Sequence, residues 1–277
     1  MAEKIIVGVS GAPVSDRAVD WAVARGTARG QSVELIAVVG GVVGAVGEAS
    51  VLERATRSAQ DMLDAQVARV GGGLTTRVLS GNPVAHLIDA SMDAALLVLG
   101  SDYRGPDRGP TRGAHGIRIA AGAHCPVVVV PDIDLEQRAG VVVGLDGSAI
   151  SERALAFAAA EADRLGEKLV AVSVWSPLTA PRNTLAVYPE LYLANMQAVT
   201  EEAQSLALAG LASQYPDLVI ERVVEKGYPS HVINAHAAHA RLIVLGTHGR
   251  GALARFLLGS ISQEVLERLA TVTAVVR

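Results

Sequence analysis

A glycine-studded loop near the C-terminus carries the residue pattern with the clearest chemical meaning. Gly246-x-x-Gly249 is followed, after nine residues, by Gly259-Ser260. An apolar run, residues 242–245, precedes this loop, and an amphipathic stretch, residues 261–269, follows it. Glycines let the backbone approach a ligand closely, and a helix N-terminus presents unpaired N–H groups that favour anions. The order strand, loop, helix therefore predicts a phosphate-holding loop. It is not a P-loop, because no Gly-Lys-Ser/Thr step follows.

The same arrangement occurs twice along the chain. Matched segments appear in the same order in both halves: 7–11 with 143–147, 15–18 with 151–154, 81–83 with 227–229, and 98–100 with 244–246. Ordered matches of this kind are much harder to obtain by chance than one short motif. We expect two homologous domains, 1–135 and 136–277, joined through the polar segment Asp132 to Arg138. The second and third matched segments lie further apart in the second half than in the first, which predicts an insertion at residues 176–192.

Composition limits the classes of partner. Half of the 277 residues are apolar, 19% are charged, and the net charge is −4, which gives no electrostatic argument for nucleic acid or an anionic membrane. The single cysteine, Cys125, excludes an intrachain disulfide and fits a reducing cytosol. No N-terminal signal is evident, and the longest candidate membrane run, residues 125–130, is far too short to span. We therefore expect a cytoplasmic protein whose partners are neither nucleic acid nor membrane.

Apolar runs and amphipathic stretches alternate in each half, which predicts an α/β fold with a doubly wound parallel sheet. In the second half the predicted strands are 141–145, 169–175, 219–225, 242–245 and 272–276, and the predicted helices are 151–165, 191–212, 230–239 and 260–269. Ligands of such sheets bind at the carboxyl ends of the strands. Asp146 ends the first strand of this half and Gly246 the fourth. If these strands are neighbours, both residues flank one crevice.

These motifs resemble those of the universal stress protein family. The glycine loop looks like the family's ATP-binding signature, and residues 143–148, the Gly227-x-Pro229 step and residues 123–130 resemble the same family. The resemblance covers essentially the whole chain as a tandem pair. It implies two Rossmann-like domains of the adenine nucleotide alpha hydrolase type, each a five-stranded parallel sheet with helices on both faces. It also implies a cytoplasmic, often nucleotide-binding protein with a role in stress adaptation.

The resemblance implies one ATP per chain, bound in the second half. Asp146 would bond the ribose, and Val174 would meet the adenine. The glycines would let main-chain N–H groups reach the ribose and phosphates, and two serines would add hydroxyl donors. Mg²⁺ or Mn²⁺ would accompany the polyphosphate. The implied cofactor-binding residues are Asp146, Val174, Gly246, Gly249, Arg250, Gly259, Ser260 and Ser262, with Arg255 as a second counter-charge.

Several of these residues also have a purely structural interpretation. Asp146-Gly147-Ser148 is a good turn and helix-entry sequence. Ser260-x-x-Gln263 matches a capping box, which requires no ligand. Val174 could be a core residue. The histidines of the segment 231–239 could share a metal, but no acidic or cysteine ligand accompanies them, so we assign none.

The first half departs from the signature at the chemically important positions. Ser10 stands in place of Asp146, Tyr103 in place of Gly249 and Ala114 in place of Ser260. The glycines that persist are Gly100, Gly105 and Gly113. We therefore expect a degraded site that does not bind ATP in the family manner.

Two classes of function compete. An efficient hydrolase needs a residue that positions water and a cation that stabilises the transition state. The loop offers His248, Arg250 and Arg255 but no carboxylate in a comparable motif. An ATP-binding regulator with at most weak hydrolysis is therefore favoured. A slow ATPase or phosphotransferase is the alternative, and an interaction protein that has lost nucleotide binding is a further one.

The last strand of each half should lie at a sheet edge. Residues 126–130 and 272–276 are apolar, and bare edges of that kind tend to be paired or covered. We expect them to pair about a pseudo-two-fold axis, which would make the chain a built-in dimer. Pairing of whole chains into homodimers is left open.

Overall fold

Strands and helices alternate along the chain. The computed structural model describes residues 4–40, 48–101, 114–177, 190–249 and 258–277. The strands are β1 (Lys4–Val9), β2 (Ser32–Val39), β3 (Thr75–Ser80), β4 (Leu96–Ser101), β5 (Val127–Pro131), β6 (Val141–Leu145), β7 (Leu169–Trp175), β8 (Ile220–Lys226), β9 (Leu242–Gly246) and β10 (Val272–Val276). The helices are α1 (Val14–Arg29), α2 (Glu48–Arg69), α3 (Pro83–Ala90), α4 (Ala114–Gly122), α5 (Ala149–Leu165), α6 (Glu190–Leu208), α7 (Leu211–Gln214), α8 (Pro229–Ala237) and α9 (Ser260–Arg268).

All ten strands form one sheet in the order β3-β2-β1-β4-β5-β10-β9-β6-β7-β8. Neighbouring strands are parallel within each half of five. Successive residues of β1 contribute to cores on opposite faces: Ile5 and Val7 pack with α1 and α2, whereas Ile6 packs with α3 and α4. Strands covered on both faces read as near-continuous apolar runs, as seen here. The predicted fold class, two five-stranded parallel units with helices on both faces, is confirmed.

The two halves meet where β5 pairs with β10. This pairing is antiparallel, with Val128 opposite Ala274. Both strands are buried at every position. The expected pairing of the terminal strands is therefore confirmed, and a pseudo-two-fold axis passes between Val128 and Ala274. We call this β5–β10 pairing the seam.

Local signals explain both ends of α5 and the break between α6 and α7. The Ser148 side chain accepts a hydrogen bond from the Ser151 N–H at 3.2 Å, so α5 begins two residues before the predicted start. Gly166 ends α5 in the left-handed conformation, with φ of 64°. The predicted single helix 191–212 was wrong, because Gly210, with φ of 90°, separates α6 from α7. No helix in the part of the chain that the structure describes is long and apolar enough to cross a membrane.

Candidate functional site

Two neighbouring strands bring the predicted site residues together. β6 and β9 pair in parallel, so their carboxyl ends, which carry Asp146 and Gly246, lie side by side. A cavity of about 530 Å³ opens at this edge. Its lining includes seven of the predicted site residues: Asp146, Val174, Gly246, Gly249, Gly259, Ser260 and Ser262. The eighth, Arg250, and the accompanying Arg255 lie outside the described residues. The expected crevice between the first and fourth strands of the second half is therefore present.

Asp146 takes part in the turn into α5 and also borders the cavity. Its Oδ1 accepts hydrogen bonds from the Ser148 N–H at 3.0 Å and the Ser148 hydroxyl at 2.7 Å. The structural interpretation of this segment is therefore correct. It coexists with a cavity-lining role, because the carboxylate also faces the glycine loop. A Cβ atom added at Gly249 would come within 2.5 Å of Asp146 Oδ2.

The loop glycines lie where a side chain would collide. A Cβ at Gly246 would lie 2.6 Å from Ile150 Cγ2, and a Cβ at Gly259 would lie 3.2 Å from the Thr247 carbonyl oxygen. The loop is closed by a hydrogen bond from the Gly259 N–H to that carbonyl, at 2.7 Å. Glycine at these positions thus permits close approach of backbone to backbone, and of the loop to Asp146.

Helix α9 begins at the cavity without a side-chain cap from its N-cap residue. That residue is Gly259, in extended conformation, and Ser260 is the first helical residue. The alternative interpretation of this segment as a capping box does not hold, since the Gln263 side chain donates to Glu267 at 2.8 Å instead. Glycine has no side chain to accept the N–H groups of the first turn, and this turn lines the cavity. These N–H groups and the helix dipole make the α9 N-terminus favourable for an anion.

Ser262 braces α9 against the end of β9. The side chain is buried, and its hydroxyl donates to the Gly246 carbonyl at 2.6 Å. A serine hydroxyl has one proton to donate. In this arrangement the hydroxyl proton is used within the protein, because the first turn of α9 brings the hydroxyl within bonding distance of the carbonyl that ends β9.

The opposite wall of the cavity is apolar. Val174 in β7 is half-buried and lines the cavity together with Val172, Leu145 and Ile233. The structure thus places Val174 in the wall of the cavity. Sequence reasoning did not assign Ile233, nor Pro229 at the start of α8. The repeated Gly227-x-Pro229 step was the signal that could have identified this side of the cavity.

His248 lines the same cavity in an unusual environment. Its Nε2 is buried and has no hydrogen-bond partner among the described residues. Burial lowers the pKa of His248 below its ordinary value, and the positive charge of Arg277 lowers it further. Both effects favour the neutral form of the imidazole.

The other histidines that were considered for a metal lie on the surface of the second half. His236 Nε2 lies 2.7 Å from Glu225 Oε1. Among residues that the structure describes, no group of three or more His, Cys, Asp or Glu side chains could hold a metal ion.

The first half has a smaller cavity at the equivalent edge. Its volume is about 280 Å³, and Ser10, Gly100 and His115 lie in its lining. Ser10 interacts with Ser15: its N–H donates to the Ser15 hydroxyl at 3.0 Å, and the two hydroxyl oxygens are 3.2 Å apart. The remaining counterparts, Tyr103, Gly105, Gly113 and the Ala114 side chain, lie outside the described residues.

Comparison with known proteins accounts for both halves. The model of the universal stress protein family matches residues 1–131 and residues 140–277. The chain belongs to the universal stress protein family. A universal stress protein of Mycobacterium tuberculosis is 31% identical over 289 residues, covering 99% of this chain and 96% of that protein. A universal stress protein of Mycobacterium bovis is 32% identical over 294 residues, covering 95% of this chain and 91% of that protein.

Solved structures show the same fold for the whole tandem chain. A universal stress protein from Archaeoglobus fulgidus superposes with a TM-score of 0.69 and 18% identity, covering 100% of this chain and 99% of that one. A Pseudomonas aeruginosa protein described as a putative universal stress protein gives a TM-score of 0.68 at 14% identity, covering 99% and 93%. At these identities the likeness concerns the fold of this universal stress protein alone.

Proposed function

We propose that this universal stress protein binds one ATP per chain, in the second-half cavity, and acts as a nucleotide-dependent regulator in stress adaptation. The observation that carries the proposal is the convergence of three unlike features in one cavity of about 530 Å³. These are the Asp146 carboxylate against Gly249, the α9 N-terminus with a glycine N-cap, and the apolar wall around Val174. A nucleotide needs all three, because it joins an apolar base, a hydroxyl-bearing sugar and an anion.

Each part of the nucleotide has a matching part of the cavity. The wall formed by Val174 and its neighbours would hold the adenine, and Asp146 would accept from the ribose hydroxyls. Backbone N–H groups at Gly249 and in the first turn of α9 would bind phosphate oxygens, with the exposed Ser260 hydroxyl as a further donor. We assign Ser262 the role of holding α9 in place rather than that of a phosphate donor.

Charge neutralisation would come from groups outside the described residues and from the ligand itself. Arg250 is assigned on the sequence alone as a counter-charge. Mg²⁺ or Mn²⁺ would arrive with the polyphosphate, held by its oxygens together with water. We further propose domain limits near residue 135 and a cytoplasmic location, which the single cysteine, buried at Cys125, supports.

The experiment is identification and counting of the bound nucleotide. Mass spectrometry of small molecules released from the purified, denatured chain should show adenine nucleotide. Calorimetric titration with ATP and Mg²⁺ should give a stoichiometry near one. Two equal sites would contradict the assignment of binding to the second half. Absence of any nucleotide binding would favour an interaction protein instead.

Slow ATP hydrolysis is a second candidate, favoured by the unpartnered Nε2 of His248 in the cavity. A neutral imidazole can accept a proton from water. We expect turnover on the order of one per minute or less, well below the range of efficient enzymes. A phosphate-release assay that gave several turnovers per second, lost in His248→Ala, would make the chain an ATPase.

A further inference from the structure

A buried cluster of charges joins the two halves on the helix side of the seam. Glu161 of α5 has no exposed surface. Its Oε1 lies 2.8 Å from Arg25 Nε and 3.4 Å from Arg29 Nη2, both of α1, and its Oε2 lies 2.8 Å from Arg164 Nε. Arg25 is itself buried and lies over the Phe157 ring. Burial lowers the pKa of Arg25, and the Glu161 carboxylate opposes that shift. Charges so far from water are tolerated only when paired.

Arg25 and Glu161 occupy the same position in the two halves. Arg25 lies ten residues after Ser15, and Glu161 lies ten residues after Ser151. These two serines are equivalent residues in the first turns of α1 and α5. The pseudo-two-fold axis therefore brings one helix position against its own counterpart. Between identical units this position would face itself with the same charge. Here it carries opposite charges.

The seam strands supply no such distinction. The residues at the axis, Val128 and Ala274, are both small, apolar and fully buried. A ladder of backbone hydrogen bonds does not depend on side-chain identity. A Val128 pair or an Ala274 pair would differ from the native pair only by a change in packed volume, which cores tolerate far better than an unpaired charge. The strands could therefore pair like with like.

The helices beside the seam, in contrast, could not pair like with like. Two copies of α1 would bring together Arg25 and Arg29 from each copy, without the carboxylate that now pairs them. Two copies of α5 would bring Glu161 against Glu161, each keeping only the Arg164 of its own helix and losing Arg25 and Arg29. The α1 pair therefore leaves buried guanidinium groups without a carboxylate, and the α5 pair brings two buried carboxylates together with one guanidinium each, and both arrangements are penalised.

We propose that Arg25 and Glu161 set the pairing specificity of the interface between the halves. The α1 face accepts a partner face that presents a buried carboxylate at this position and rejects a copy of itself. The tandem chain therefore closes on itself, and two chains do not join through their seams. A repulsive contact against the wrong partner is a recognised source of specificity.

The first test is charge reversal in the full chain. Arg25→Glu places two carboxylates together beside Arg29 and Arg164, and Glu161→Arg places four guanidinium groups together with no carboxylate. Glu161→Arg should lower the thermal unfolding midpoint by about 10 °C, and Arg25→Glu by less, because the two remaining guanidinium groups partly offset the second carboxylate. The double variant R25E/E161R has the same net charge as the native cluster and should recover more than half of the larger loss. A double variant no more stable than the weaker single variant would overturn the proposal.

The second test uses the two single variants as each other's partners. The R25E chain presents a carboxylate on its α1 face, and the E161R chain presents a guanidinium on its α5 face, so these two faces match each other. The remaining two faces are native and also match. Co-refolding the two chains should give a reciprocally exchanged heterodimer, with the linker 132–140 as the hinge. Native mass spectrometry of chains with distinguishable masses should show this 1:1 species, with a higher unfolding midpoint than either chain alone.

The matched control is a pair of native chains that differ only in mass. These should show far less mixed species than the variant pair, because each closes on itself. Equal amounts of mixed species in both experiments, or none in the variant pair, would show that other contacts decide the pairing.

Discussion

The two halves carry the same cavity in two chemical states. In both halves, a cavity opens at the carboxyl ends of the first and fourth strands. It is lined by a glycine within each of these two strands and by the residue that follows the first strand. The second-half cavity is about 530 Å³ with Asp146 at its edge, whereas the first-half cavity is about 280 Å³ with Ser10 there. The position of the cavity follows from the topology, but its chemistry depends on a few side chains. A site can therefore lose its function while its scaffold persists.

The largest expected effect comes from copying the first-half residue at the closest point of the second-half loop. Gly249→Tyr should weaken ATP binding by about 100-fold or more, because its Cβ alone would fall 2.5 Å from Asp146 Oδ2. Calorimetric titration measures the loss. The matched change in the first half, Tyr103→Gly, should leave the affinity unchanged. A comparable loss in that variant would mean that the first half takes part in binding.

Exchanging the residues at the ends of β1 and β6 tests the same comparison in both directions. Asp146→Ser should weaken ATP binding by about 10- to 100-fold, as expected when a charged hydrogen bond is lost. Ser10→Asp should not create a second site, because the first cavity has about half the volume. Ser148→Ala tests the turn: it removes the cap of α5 and the hydroxyl bond to Asp146, and should cost about 1 kcal/mol of stability with a smaller loss of affinity than Asp146→Ser.

A smaller effect is expected at the first helical residue of α9. Ser260→Ala copies the first-half residue and should weaken ATP binding by about two- to fivefold, since one neutral donor is lost. Ser262→Ala should instead lower the unfolding midpoint, because it removes the hydrogen bond to the Gly246 carbonyl. Calorimetry and thermal unfolding on both variants separate the two roles. An affinity loss larger at Ser262 than at Ser260 would reverse the assignment.

The smallest effect concerns pH. The folded protein holds the pKa of His248 below its ordinary value of about 6.5, so the unfolded chain binds more protons in that interval. His248 therefore contributes stability above about pH 6.5 that is lost as the pH falls towards the folded pKa. Bound phosphate would raise the same pKa, so ATP affinity should gain about two- to fivefold on acidification relative to His248→Gln. The measured quantity is the ratio of the ATP affinity of the native chain to that of His248→Gln, because protonation of ATP itself affects both affinities equally. A ratio that does not change with pH would place His248 away from the phosphates.

Sequence patterns predicted the fold well because its signals are local. The strands 141–145, 169–175 and 272–276 agree with the structure residue for residue, since short apolar runs between glycines and polar turns have one reasonable interpretation. The rule for parallel sheets placed Asp146 and Gly246 at one crevice on the condition that their strands are neighbours, and the pairing of β6 with β9 meets that condition. The site residues themselves came from the family resemblance, not from periodicity.

The hydrogen-bond partners of individual side chains could not be predicted from the sequence. The motif at Ser260 and Gln263 allowed a capping box, but the chain places Gly259 at the cap instead. The Ser262 hydroxyl donates to Gly246, a choice decided by tertiary distances rather than by neighbours in sequence. The pairing of Arg25 with Glu161 joins residues 136 positions apart, and no local pattern marks either as buried.

Helix α9 borders both cavities. Its first turn lines the second-half cavity, while Leu266 in its last turn and Leu269 immediately after it line the first-half cavity. The helix has nine residues and is about 13 Å in length, so one short element connects the two cavities. Leu269, in the left-handed conformation with φ of 41°, is buried in the same apolar core as Ile119 and Val127 of the first half. A displacement of α9 at the end that lines the second-half cavity would therefore move Leu266 and Leu269 in the wall of the first-half cavity, so a probe bound in the first half could report on events in the second.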